Sequence, residues 1–111
     1  MSENNCIFCS IIAKKIPATI IAENDDVVVI KDIAPKAPIH YLVIPKIHIA
    51  DLLDVQAPSL MAHMITAVQE LCTQKLISTS FRTIINTGAG VGQTVFHLHM
   101  HLLAGKAMSD F

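Results

Sequence analysis

Charge is scarce in this chain. Only 15% of its 111 residues are Asp, Glu, Lys or Arg, and the formal net charge at pH 7 is −1. No basic stripe runs along it, so it is not built to neutralise a nucleic-acid backbone. Cysteine is limited to Cys6, Cys9 and Cys72. An odd count fits reduced thiols in a cytoplasmic protein better than a disulfide framework. Long apolar runs are also missing. Hydrophobic residues reach 52% of the chain, yet no stretch approaches the roughly 20 residues that span a bilayer. The opening residues Met1-Ser2-Glu3-Asn4-Asn5 are polar and acidic, unlike a targeting segment. Repeats, low-complexity tracts and linkers are absent, and the expectation is one domain over residues 1–111. In a short chain this apolar, part of the apolar surface is expected to be buried between subunits.

What is present is concentrated near the C-terminus. His97, His99 and His101 alternate with Leu98, Met100 and Leu102. On a β-strand, period two sends the imidazoles to one face and the apolar side chains to the other. A half-buried strand with an all-imidazole face suggests acid–base chemistry, a histidine nucleophile or a metal. Three such positions spread over about 13 Å of strand, too far for all three to reach one ion at bonding distance.

Hydrophobic periodicity orders the rest. Ile7, Phe8, Ile11 and Ile12 have helical spacing, with Asn4 or Asn5 as candidate N-cap. Residues 19–23 and 27–31 are β-rich runs around the turn Asn24-Asp25-Asp26, a hairpin. A proline-containing loop follows, then a strand over residues 40–44 that Pro45 stops. Over residues 58–76, Leu60, Met61, Met64, Ile65, Val68, Leu71, Cys72 and Leu76 form one helical stripe, and His63 falls on the polar side. Strands are expected over residues 81–85 and 96–103. The elements predict an α+β fold: a mainly antiparallel five-stranded sheet, one short N-terminal helix and one long central helix.

Before the last strand lies Asn86-Thr87-Gly88-Ala89-Gly90-Val91-Gly92-Gln93-Thr94. Glycines let backbone N–H groups turn towards an anion, and a hydroxyl and an amide add donors. A phosphate held by Gly92, Gln93 and Thr94 beside His99 argues for phosphoryl or nucleotidyl transfer. A plain turn would look similar; its position before the histidines favours the functional reading.

The run His97-Leu98-His99-Met100-His101-Leu102-Leu103 resembles the motif of the histidine-triad family. The similarity extends through Cys6 to Ile12, Ile16-Pro17-Ala18, residues 31–40, residues 42–49 and Gly92 to Phe96, and points to the purine nucleoside phosphoramidase branch. It implies a homodimeric α+β hydrolase or transferase acting on the α-phosphate of purine nucleoside phosphoramidates. His99 would be the nucleophile, forming a nucleotidyl-histidine intermediate. His101 would contact the phosphate, a backbone carbonyl near His97 would hold the other nitrogen of His99, and His40 would be a supporting residue. Asn86, Gly92, Gln93 and Thr94 would lie at the phosphate, with Thr94 where the family usually has serine. Asp32 would take the ribose hydroxyls. Ile7, Phe8, Ile11, Ile30 and Ile33 would wall the purine pocket, although on sequence alone they serve equally as core.

The chemistry requires no cofactor. Relatives with the Cys6, Cys9 pair resemble a Cys2His2 site that His48 and His97 would complete around a structural zinc; the other reading is that both cysteines are core thiols. Cys72 reads as packing and His63 as solvated. The resemblance weakens after Leu103, where the branch often carries a longer tail that shapes specificity across the dimer. Two alternatives stand beside the phosphoramidase: cleavage of dinucleoside polyphosphates, and a nucleotide-binding or scaffold protein with little turnover.

Overall fold

The computed structural model describes residues 5–109. Helix α1 (Ile7–Ile12) is followed by strands β1 (Ile20–Glu23), β2 (Val27–Lys31) and β3 (Ile39–Pro45), helix α2 (Pro58–Thr73), and strands β4 (Phe81–Ile84) and β5 (Met100–Ala104). The five strands form one antiparallel sheet in the order β1-β2-β3-β5-β4. The fold is α+β, as the periodicity implies.

Each face of the sheet builds its own core. Val27, Val29, Val43, Leu98, Met100 and Leu102 pack with Met64, Ala67, Val68 and Leu71 of α2. On the opposite face Val28, Ile30, Leu42 and Ile44 pack with Cys6, Phe8 and Ile11 around α1. Strand β2 is therefore buried on both sides over Val27 to Ile30, which is why it reads as a continuous apolar run and not an alternating one. The long helix shows the opposite pattern. Ile65 and Leu76 belong to its sequence stripe but are 50% and 43% exposed. Helix α2 ends at Thr73, so Leu76 lies beyond it.

Helix α1 is too short to cover its face of the sheet. It occupies the β2 and β3 end, and the end of the face reached by β5 stays open. Leu42 pairs directly with His101, and His40 with Leu103. Directly paired residues share a face, so His40 and His101 lie together on the open end.

Two local expectations change. The last strand begins at Met100, not at residue 96. Its partner β3 ends at Pro45, which has no N–H to extend the ladder. The preceding segment instead bonds to the β3–α2 connection. Leu98 N–H donates to the Ile49 carbonyl at 2.8 Å, and the Gln93 amide donates to the Ala50 carbonyl at 2.8 Å. The alternation of side chains survives this irregular stretch: Leu98 still enters the α2 core. The N-cap of α1 is Cys6, whose Sγ accepts the Cys9 N–H at 3.3 Å; Asn4 lies outside the described residues. Among the described residues no helix is long and apolar enough to cross a membrane.

Candidate active site

The open end of the α1 face is a cavity of about 680 Å³. It is lined by the apolar Ile7, Phe8, Ile11, Ile30 and Ile33, by Asp32 and Lys36, and by Asn86, Gly92, Thr94, His99 and His101. Most residues chosen from the sequence thus meet around one space, brought there by α1, β2, the β2–β3 loop and β5. Ile33 stands almost wholly in solvent at 99% exposure, a rim residue more than a wall.

Three selected residues are placed elsewhere. His97 is fully buried and does not line the cavity. Gln93 is also buried, and its side chain is spent on backbone: Oε1 accepts from Gly88 N–H at 2.8 Å, and the amide donates to the Ala50 and Val95 carbonyls. Gln93 shapes the bend rather than facing a ligand. The bend's N–H groups are largely self-satisfied too. Val91 and Gly92 donate to Gly88 and Ala89 in a 3₁₀ turn (Ala89–Val91), and Gln93 N–H returns to Gly88. Gly92 is glycine because φ is +111° there. Residues with donor side chains that line the cavity are Asn86, Thr94, Lys36, His99 and His101. His40 lines an adjoining cavity of about 300 Å³ that shares Asp32, Lys36, Asn86 and His101 with the larger one.

Backbone partners set the proton position on each ring. A carbonyl accepts and an amide donates, so the tautomer follows from geometry. His99 Nδ1 lies 2.8 Å from the His97 carbonyl. Nδ1 therefore carries the proton, and Nε2 keeps its lone pair. His97 Nε2 donates to the Pro45 carbonyl at 2.7 Å, which makes Nδ1 the acceptor nitrogen. His40 Nδ1 accepts the Lys36 N–H at 3.0 Å, so its proton is on Nε2, which faces His101 Nδ1 at 3.0 Å. His101 Nδ1 is the acceptor of that bond, and its own proton is on Nε2.

Burial pushes the His99 imidazole below its ordinary range, against the His97 carbonyl and the Asp32 charge, which favour the proton. His101 is lowered by burial first, then by the neighbouring His99 and His40. Both rings are neutral near pH 7. A neutral imidazole with a bare Nε2 is a nucleophile, and a neutral one with Nε2–H is a hydrogen-bond donor. Phe8 packs edge-on against both His97 and His99, at 5.9 and 5.0 Å between ring centres.

Behind the cavity, Cys6, Cys9, His48 and His97 bring four ligand atoms within 4.8 Å of one another. His97 Nδ1 is 3.4 Å from Cys6 Sγ, 3.5 Å from Cys9 Sγ and 3.2 Å from His48 Nδ1, and His48 Nδ1 is 3.1 Å from Cys9 Sγ. A tetrahedral zinc with its usual bond lengths would have N–N edges of about 3.3 Å and S–N edges of about 3.6 Å. The donor set and its spacing fit such an ion.

A family model described as scavenger mRNA decapping enzyme C-term binding matches residues 5–111. A HIT-like protein of Synechococcus elongatus is 45% identical over 111 residues, covering 98% of this chain and 96% of its own. The chain belongs to the histidine-triad family. Among solved members, a HIT family hydrolase from Clostridium thermocellum is 41% identical with a TM-score of 0.90, each chain covered to 96%. A zinc-bound histidine triad family protein from Mycobacterium smegmatis is 34% identical with a TM-score of 0.82, covering 95% of this chain and 78% of that one. Each of these similarities covers at least 95% of this chain.

Sequence reasoning assigned no role to Lys36, although its backbone amide sets the His40 tautomer and its side chain borders both cavities. The Pro45 carbonyl was equally invisible. Only the proximity of Lys36 to His40 in the chain hinted at the first; nothing hinted at the second.

Proposed function

We propose that this histidine-triad protein is a nucleotide hydrolase acting at the α-phosphate of purine nucleoside phosphoramidates through a covalent nucleotidyl-His99 intermediate. The observation that carries this reading is the His99 Nδ1–H bond to the His97 carbonyl at 2.8 Å, which leaves Nε2 as a nucleophile on a ring that lines the 680 Å³ cavity. The apolar side of the cavity takes the base, Asp32 the ribose, and Asn86, Thr94 and His101 the phosphate. In the first step Nε2 of His99 bonds to phosphorus and the P–N bond breaks. The leaving nitrogen takes up one proton from solvent as the bond breaks, while His101 Nε2–H holds the phosphate oxygens. In the second step a water oxygen bonds to phosphorus, the P–Nε2 bond breaks, the water's proton returns to solvent, and the nucleoside monophosphate departs. Splitting the displacement replaces one hard step with two easier ones. The similarity to a HIT family hydrolase supports the reaction class.

In the same reading Cys6, Cys9, His48 and His97 hold a zinc ion, consistent with their spacing and with the zinc-bound relative. Bound there, zinc supplies a structural tie between α1 and the segment before β5. The protein works as a cytoplasmic homodimer, and light scattering at micromolar concentration is expected to give twice the chain mass.

The direct test is to trap the intermediate. Protein mixed with adenosine 5′-phosphoramidate and quenched in alkali is expected to gain the mass of an adenylyl group on the peptide containing His99. Turnover without such an adduct, and undiminished in His99→Ala, would remove His99 as nucleophile. Turnover of diadenosine polyphosphates with no release of amine from phosphoramidates would transfer the reading to polyphosphate cleavage.

A further inference from the structure

We propose that Asp32 and His40 couple the sugar of a bound nucleotide to the hydrogen-bonding state of His101, so that ribose hydroxyls act on rate as well as on binding. This rests on the nucleotide reading above for the identity of the occupant. It makes the site selective for ribonucleotides over deoxyribonucleotides at the chemical step, with His40 as a positioning residue.

The argument starts from one N–H. Because Lys36 N–H donates to His40 Nδ1 at 3.0 Å, His40 carries its single proton on Nε2. Two acceptors face that nitrogen: His101 Nδ1 at 3.0 Å and Asp32 Oδ2 at 3.4 Å. The other carboxylate oxygen of Asp32 takes the Ala34 N–H at 2.8 Å. One proton cannot serve both competitors fully. A full negative charge draws it towards Asp32, and each share drawn off weakens the bond that holds His101 in its Nε2–H form.

Asp32 borders both cavities and is still partly accessible, with its side chain 18% exposed. A vicinal diol donating to the carboxylate would occupy its lone pairs. The His40 N–H then goes undivided to His101 Nδ1, and His101 Nε2–H is fixed towards the phosphate. A sugar without hydroxyls leaves Asp32 in competition. Asp32, His40 and His101 also group as ligand atoms within 4.8 Å, but the Lys36 amide opposes a cation there. An imidazole accepting at Nδ1 while ligating through Nε2 would have to be an anion.

Two measurements test the coupling. In protein with ¹⁵N-labelled histidine, saturation with adenosine monophosphate is expected to shift His101 fully to the Nε2–H pattern. The 2′,3′-dideoxy nucleotide, also at saturation, should leave it mixed. Asp32→Asn, whose neutral amide is a weaker acceptor, should show the bound-like pattern with no nucleotide added. Kinetically, the dideoxy phosphoramidate should lose about tenfold in kcat relative to the ribose form, the value of one misdirected hydrogen bond. In His40→Asn this kcat ratio should fall to about one while the KM difference persists. An identical His101 pattern with both nucleotides, an unchanged pattern in Asp32→Asn, or an undiminished kcat ratio in His40→Asn would each overturn the coupling. Absence of phosphoramidate turnover with the ¹⁵N response intact would instead overturn the activity and leave the coupling standing.

Discussion

Two clusters of imidazoles sit on one face of this sheet and present opposite ends of the same ring. In the first, His97 gives its proton to the Pro45 carbonyl and turns a lone pair towards Cys6, Cys9 and His48. In the second, His40 receives the Lys36 amide proton and turns an N–H towards His101 and Asp32. The side chains are identical; the backbone partner decides whether the ring offers a ligand or a proton donor. His99 belongs between them. Its proton is taken by the carbonyl of the residue that closes the first cluster, and its free nitrogen belongs to the cavity of the second. Proximity of His, Cys and Asp is therefore insufficient to identify a metal site, and the hydrogen bond on the far side of each ring has to be read first.

The comparison can be broken most severely at His99. His99→Ala is expected to lower phosphoramidate turnover by about 10³-fold or more with the circular dichroism spectrum unchanged. Turnover close to wild type would show that the bare Nε2 is not the reacting atom. Next in size is the metal. Protein purified without chelator is expected to carry one zinc per chain. Stripping it should lower the melting temperature by roughly 10 °C or more, at about 4–8 °C per kcal/mol for a domain of this size. Cys9→Ser should lose the zinc, and His40→Asn should keep it. A metal content that follows His40 and not Cys9 would reverse the assignment of the two clusters.

Phe8 spans both regions through His97 and His99 and is 6% exposed. Phe8→Ala should cost about 3 kcal/mol in a denaturant titration. A loss under 1 kcal/mol would mean that α1 is not anchored by this ring.

The depressed imidazole of His101 gives a smaller, signed effect. The folded ring binds its proton less readily than the unfolded one, whose value is near 6.5. Its contribution to stability is whole above that pH and declines as pH falls through 6.5 towards the folded value. Calorimetry should show the wild type losing more stability than His101→Gln on acidification over that window. Parallel curves would assign the acid sensitivity to other groups. The smallest change is expected at His63, outside both clusters. Its side chain is 47% exposed and lies 3.6 Å from Asp26, so His63→Ala should alter stability by less than about 0.5 kcal/mol.

Much of this site is legible in the sequence alone. The alternation of His97, His99 and His101 with Leu98, Met100 and Leu102 separates a polar face from the α2 core, because side-chain direction in extended backbone has period two. That inference held although regular pairing begins only at Met100. Gln93 was misread. An amide next to a glycine bend looks like an anion donor, and nothing local reveals that the Ala50 carbonyl, 43 positions away in the chain, consumes it. Ile65 was misread for a related reason: a helical stripe shows which side chains are apolar, not how wide the surface opposite them is.

Local sequence thus determined which elements form and which chemical groups they carry, since periodicity, turn residues and ring chemistry are properties of neighbours in the chain. The tertiary structure alone decided where each imidazole keeps its proton. That choice depends on carbonyls and amides delivered by other segments, and a neutral ring has no intrinsic preference strong enough to make it unaided.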